Sequence, residues 1–117
     1  MTNVIYDIKG GSPITGRINC MGAKNLATKA MVSSLLSSEP TILWNVPNIG
    51  DVEITKDLLV SSGITIDWER NNGRMLINPK IIASSEVYLS GNKSNRIPIL
   101  LLSVLLHRKG EGAVPAV

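Results

Sequence analysis

Hydrophobic residues change their spacing several times along this chain, and each change marks an element. Residues 3–9 alternate weakly, with Val4, Tyr6 and Ile8 set against Ile5, Asp7 and Lys9, which predicts a strand. Gly10-Gly11-Ser12-Pro13 interrupts it, and Ile14, Gly16, Ile18 and Cys20 then alternate with Thr15, Arg17 and Asn19 in a second predicted strand. From Lys24 to Ser37 the spacing becomes helical. Leu26, Ala27, Ala30, Met31, Val32, Leu35 and Leu36 cover nearly the whole circumference, which predicts a helix buried on most sides against sheet. Glu39-Pro40 turns the chain into a strand at 41–46, with Ile42, Trp44 and Val46 on one face and Pro47 as its stop. Asp51 is placed to cap a second helix running to about Ser62, and Gly63 fits the left-handed position beyond its end.

Ile64, Ile66 and Trp68 alternate again, and Asn72-Gly73 supplies a hairpin turn into a strand from Met75 to Asn78. The order from residue 14 to 79 is therefore β-α-β-α-β-β. A strand at 86–89, a helix at about 95–109 and a strand from Ala113 read as the start of a second copy. That third helix takes Ser94 or Asn95 as its cap and tolerates Pro98 in its first turn, where a missing N–H is harmless. It ends in His107-Arg108-Lys109, favourable at the negative end of the helix, with Gly110 beyond.

Composition narrows the class. The chain has 117 residues, 44% of them hydrophobic, enough for one small domain with a modest core. Its net charge of +3 is spread along the chain, and it has no Phe, two Trp and two Tyr. A nucleic-acid reader would need a basic stripe with stacking aromatics, so that class is poorly supported and no nucleic-acid partner is expected. One cysteine forms no internal disulfide and agrees with a reducing compartment; Cys20 is expected to pack as a small hydrophobe at its strand end. The N-terminus lacks a basic then apolar leader, and the run from Ile97 to Leu106 is too short to span a bilayer. A cytoplasmic location and no membrane partner are expected. His107 has no second His and no carboxylate cluster nearby, so no metal and no cofactor are predicted.

The candidate chemistry lies at Gly22-Ala23-Lys24-Asn25. A strand entering a small-residue turn and then a helix gathers free N–H groups, a positive dipole end, an ammonium and a carboxamide, which suits an anionic ligand. Lys24 is a mobile point charge with three donors, fit for phosphate or carboxylate.

The pattern Ile14-x-Gly16-x-Ile18-x-x-x-Gly22-Ala23-Lys24-Asn25, then Leu35-Leu36-Ser37-Ser38-Glu39-Pro40, Asn45-Val46-Pro47, Asp51-Val52 and Leu58-Leu59-x-x-x-Gly63 resembles the start of the UDP-N-acetylglucosamine 1-carboxyvinyltransferases. Arg96 within Lys93-Ser94-Asn95-Arg96, ahead of an apolar helix, continues the match, which covers residues 8–117. The sister enolpyruvylshikimate-phosphate synthases typically carry Gly-Ser-Lys-Ser at the same turn, so Gly-Ala-Lys-Asn favours the amino-sugar branch.

The resemblance implies an α/β fold of the enolpyruvyl-transferase (inside-out α/β barrel) type, with one β-α-β-α-β-β unit and the start of a second. Residues 1–21 would be strands that pair with the other domain of a longer enzyme, and 22–117 a partial domain. It also implies transfer of the enolpyruvyl group from phosphoenolpyruvate to the 3′-hydroxyl of UDP-N-acetylglucosamine with release of phosphate, the first committed step of peptidoglycan precursor synthesis. Lys24 matches the lysine that contacts phosphoenolpyruvate, Asn25 its neighbouring amide, and Arg96 the arginine heading the third helix; Lys93 either adds positive field or is a solvated lysine at the helix entry. Lys29, deeper in its helix, is expected to matter less. The general acid, a cysteine or aspartate on a Pro-Gly-Gly loop, is expected after Val117, so the chain has no catalytic residue of its own and is expected to be inactive alone. Asn95-Arg96-Ile97-Pro98 departs from the usual Met-Arg-Ala-Ser, which leaves open a paralogue with another acceptor. A non-catalytic sugar-nucleotide-binding or interaction module is the remaining alternative.

Overall fold

Helical and strand spacing resolve into six elements in the computed structural model, which describes residues 4–88 and 96–116. They are α1 (Lys24–Ser33, prolonged by a 3₁₀ turn at Ser34–Leu36), β1 (Thr41–Leu43), α2 (Gly50–Ser61), β2 (Thr65–Glu69), β3 (Arg74–Asn78) and α3 (Ile97–Lys109). The sheet runs β1-β3-β2, antiparallel throughout. Its register places Leu43, Met75 and Trp68 on one level and Thr41, Ile77 and Ile66 on the next. Residues two apart share a face, so all six point the same way. Met75 and Ile77 on that face are fully buried, with Leu43, Ile66 and Trp68 packed around them.

The helices supply the other half of the core at three- and four-residue intervals. Ala27, Met31, Val32 and Leu35 come from α1 and its 3₁₀ extension, Val52, Leu58 and Leu59 from α2, and Leu101, Val104 and Leu105 from α3. Gly63 sits past α2 with φ +92°, as its placement in the sequence predicts. An added Cβ there would lie 2.6 Å from the Ala83 Cβ.

Several sequence expectations need correction. Residues 4–20 form no ladder and are exposed throughout, so the predicted strands at 3–9 and 14–20 do not form. A strand needs a neighbour to pair with its N–H and C=O groups, and among the described residues none runs beside these segments. The radius of gyration, 17.3 Å, exceeds the roughly 13 Å expected for a compact chain of this length. Helix α1 is buried along one side, while Leu26 and Leu36 lie in solvent; its apolar circumference exceeds the surface this chain has to cover it. Strand β1 stops at Leu43, and Asn45 takes a left-handed φ of 58° that reverses the facing of Val46. Val46 is buried, whereas Ile42 and Trp44 are exposed. Asp51 lies inside the first turn of α2, whose N-cap residue is Ile49. The hairpin loop has four residues, 70–73, because Glu69 still pairs with Arg74. The strands expected near 86–89 and 113 reduce to one parallel bridge, Glu86 to Ala113. Lys93, Ser94 and Asn95 lie outside the described residues.

Polar contacts tie the layers together. The Arg70 guanidinium pairs with Glu53 of α2, reaches Asn48 Oδ1 at 3.3 Å and lies 4.4 Å over the Trp68 ring. Burial alone would raise the Glu53 carboxyl, but hydrogen bonds and charge from Lys56 and Arg70 hold it below its usual range. Arg108, in the last turn of α3, donates to Leu35 O at 2.8 Å, Ser37 O at 2.6 Å and Pro79 O at 3.1 Å. Its charge thus serves the negative end of α1 as well as that of its own helix. Replacing Arg108 by methionine is expected to lower stability by about 2–3 kcal/mol, since a charged donor leaves three carbonyls at once. Urea unfolding of the variant measures this; a loss within 0.5 kcal/mol, the scale of an ordinary surface change, would show that the clamp contributes nothing.

Candidate functional site

The first turn of α1 is fixed by two close backbone approaches. Gly22 N–H donates to Asn45 O at 3.1 Å, and a Cβ on Gly22 would lie 2.4 Å from that oxygen. Val46 N–H in turn donates to Gly73 O at 2.9 Å, with Gly73 buried at φ +68°. The hairpin turn, the end of β1 and the Gly22 turn thus stack on one another. Glycine at 22 answers to that stacking, and Lys24 starts its helix two residues later. No side-chain hydrogen bond caps α1, so the N–H groups of its first turn have no side-chain partner among the described residues.

A cavity of about 570 Å³ opens there. Helix α1 contributes Lys24, Asn25, Thr28 and Lys29, α2 contributes Asp51, and Arg96 enters from the head of α3. Ile97, Ile99 and Leu100 give one wall an apolar surface. Lys24 and Arg96, 72 positions apart in the chain, therefore line one space, with Asn25 beside Lys24. Lys24 Nζ lies 3.3 Å from Asp51 Oδ2, an ion pair open to solvent on both sides. Thr28 turns its hydroxyl back onto Lys24 O at 3.3 Å, so it is engaged within its own helix.

Among the described residues three cations and one carboxylate line this cavity, which makes it a place for anions. Two of its residues escaped the sequence reading. Asp51 was expected only as a helix cap, and Lys29 as a bystander deeper in α1. A signal was available for Lys29 alone: it follows Asn25 by four residues and so shares its side of the helix. Cys20 is exposed, against the expectation that it packs, because the segment carrying it has no strand beside it. His107 is exposed at the far end of α3. Among the described residues no three His, Cys, Asp or Glu side chains gather as a metal site, and no helix is long and apolar enough to cross a membrane.

Comparison with known proteins adds to this geometry. The family model described as EPSP synthase (3-phosphoshikimate 1-carboxyvinyltransferase) matches residues 8–108. The chain is 40% identical over 110 residues to the UDP-N-acetylglucosamine 1-carboxyvinyltransferase of Protochlamydia amoebophila, covering 94% of this chain and 24% of that protein. It is 46% identical over 99 residues to the enzyme of the same name from Chlamydia muridarum, covering 85% and 22%. The chain spans about a quarter of the length of these relatives. Among solved structures, the enolpyruvyl transferase NikO from Streptomyces tendae matches with a TM-score of 0.72 at 18% identity, over 86% of this chain and 23% of that one. That likeness speaks for the fold: the α/β arrangement described above is the enolpyruvyl-transferase type.

Proposed function

The chain belongs to the EPSP synthase (3-phosphoshikimate 1-carboxyvinyltransferase) family, and from that premise we propose that it forms one wall of the substrate cleft of an enolpyruvyl transferase. The reaction is transfer of the enolpyruvyl unit of phosphoenolpyruvate to the 3′-hydroxyl of UDP-N-acetylglucosamine, with release of phosphate, at the entry to cell-wall precursor synthesis in the cytoplasm. The observation that carries the reading is the meeting of Lys24, Asn25 and Arg96 at one cavity from two separate helices. The Gly22-Ala23-Lys24-Asn25 turn and the names borne by relatives at 40–46% identity support the amino-sugar acceptor.

In this reading the chain binds and orients. Lys24 meets an anionic group of phosphoenolpyruvate as a mobile ammonium, giving up part of its contact with Asp51 to do so. Arg96 offers a planar fork to phosphate or carboxylate. The Asn25 amide faces the acceptor hydroxyl. The open end of α1 adds its dipole to the same field. Among the described lining residues there is no cysteine or histidine and the carboxylate, Asp51, is paired with Lys24, so proton delivery to the methylene carbon is assigned to a group outside this set.

A second acceptor remains the competing reading, favoured by Asn95-Arg96-Ile97-Pro98 where the branch usually has Met-Arg-Ala-Ser. Titration calorimetry of the 117-residue chain decides between them. Saturable binding of UDP-N-acetylglucosamine, tightened by phosphoenolpyruvate, with none of shikimate 3-phosphate, is the expected result. The reverse preference would overturn the amino-sugar assignment.

A further inference from the structure

The charges around the cavity are not equally balanced. Lys24 has Asp51 at 3.3 Å. Among the described residues neither Lys29 nor Arg96 is paired with a carboxylate, although both line the same space. Unpaired cations that face each other across a concave space repel, and a bound anion relieves that repulsion. Lys29 stands four residues after Asn25, on the same side of α1, and about 7.5 Å along the helix axis from Lys24. The cavity, about 570 Å³, falls in the range that accommodates a ligand far larger than a three-carbon phosphate ester.

We propose that Lys29 is a specificity-determining residue that holds an anionic phosphate group of the acceptor nucleotide, with Arg96 facing it and Lys24 left to phosphoenolpyruvate. This rests on the enolpyruvyl-transferase reading and deepens it. Two anion positions separated along one helix keep two negatively charged substrates apart while their reacting ends meet near Asn25. The Asp51 carboxylate marks the boundary: it balances Lys24 before phosphoenolpyruvate arrives and leaves the Lys29 end positive. A diphosphate carries the charge that Lys29 and Arg96 together lack.

The test is calorimetric titration of the 117-residue chain and its Lys29→Met variant with UDP-N-acetylglucosamine, uridine and phosphoenolpyruvate in turn. Methionine keeps the length and apolar stem of the side chain and removes its charge. The expected result is about a tenfold loss of UDP-N-acetylglucosamine affinity, with phosphoenolpyruvate affinity unchanged and uridine equally weak for both chains. Lys29→Arg should restore most of the loss. Unchanged binding of both charged ligands would show Lys29 to be a solvated surface residue, and an equal loss for both would make it a general source of field; either result overturns the assignment while leaving the family reading intact. Failure of the unsubstituted chain to bind either ligand would overturn both this assignment and the proposed role of the chain as a wall of the substrate cleft. Circular dichroism of the variant guards against a folding defect, and Lys29→Gln supplies a second neutral side chain should the methionine variant misfold.

Discussion

Gly22→Ala is expected to lower the stability of the chain by about 1–3.5 kcal/mol and to weaken anion binding at the head of α1 in the same protein. The added Cβ would sit 2.4 Å from Asn45 O, a backbone atom held between its own bond to Gly22 N–H and the neighbouring bond of Val46 to Gly73. Relief requires the two segments to separate, which breaks a hydrogen bond worth about 1 kcal/mol and adds overpacking of roughly 1–3 kcal/mol. The reduced freedom of the unfolded chain offsets only about 0.4–1 kcal/mol of this. Separation also moves Lys24, which starts its helix two residues on. Gly10→Ala is the matched control, since nothing lies within 4 Å of its would-be Cβ. Urea unfolding of both variants, followed by phosphoenolpyruvate titration, reads the two effects. If Gly22→Ala unfolds at the same urea concentration as Gly10→Ala, the close approach is not a constraint.

Lys24→Met should show the opposite balance: little change in stability and a large loss of binding. Its ion pair with Asp51 is more than a third exposed on each side, and exposed pairs contribute about 0–1 kcal/mol. A charge-assisted contact to a ligand anion is worth about 1.5–3 kcal/mol, or roughly 10- to 150-fold in affinity. Phosphoenolpyruvate affinity should therefore fall by that factor while the unfolding midpoint barely moves. The loss should shrink as salt is added, because the contact is open to solvent and screening acts on it. Asp51→Asn should bind phosphoenolpyruvate somewhat more tightly than the unsubstituted chain, since Lys24 then has no competing carboxylate. Binding that survives Lys24→Met intact would remove Lys24 from the site, whatever the quality of the sequence match.

Local chemistry alone was enough to read the elements that carry their own punctuation. Gly63 past α2, Gly110 past α3 and the alternation of Ile64, Ile66 and Trp68 ahead of Asn72-Gly73 each fix a boundary through constraints of a few residues, and the structure keeps them. The candidate anion turn was legible for the same reason: a glycine, a small residue and a lysine at a helix start are a local pattern. The resemblance of the whole run to the carboxyvinyltransferases was legible as well, and the family match over residues 8–108 agrees with it.

What the sequence could not decide were matters of partnership. Residues 4–20 alternate like strands, yet an alternating segment becomes a strand only where another chain segment accepts its hydrogen bonds. The apolar circumference of α1 stated an appetite for burial, and only the packed structure shows which side is satisfied, with Met31 and Leu35 inside and Leu26 and Leu36 outside. At β1, a single left-handed residue, Asn45, moved Val46 to the buried side and left Ile42 and Trp44 exposed. Arg108 looked like an ordinary helix-end cation until the fold set three distant carbonyls around it. Asp51 and Lys29 joined the cavity in the same way, because charge acts through space and spacing along the chain records only the neighbours within a helical turn. The sequence by itself determined which residue types stand at each turn and helix end, since those depend on local backbone geometry. Tertiary structure alone decided which charges face one another across the cavity, since that depends on where separate helices come to rest.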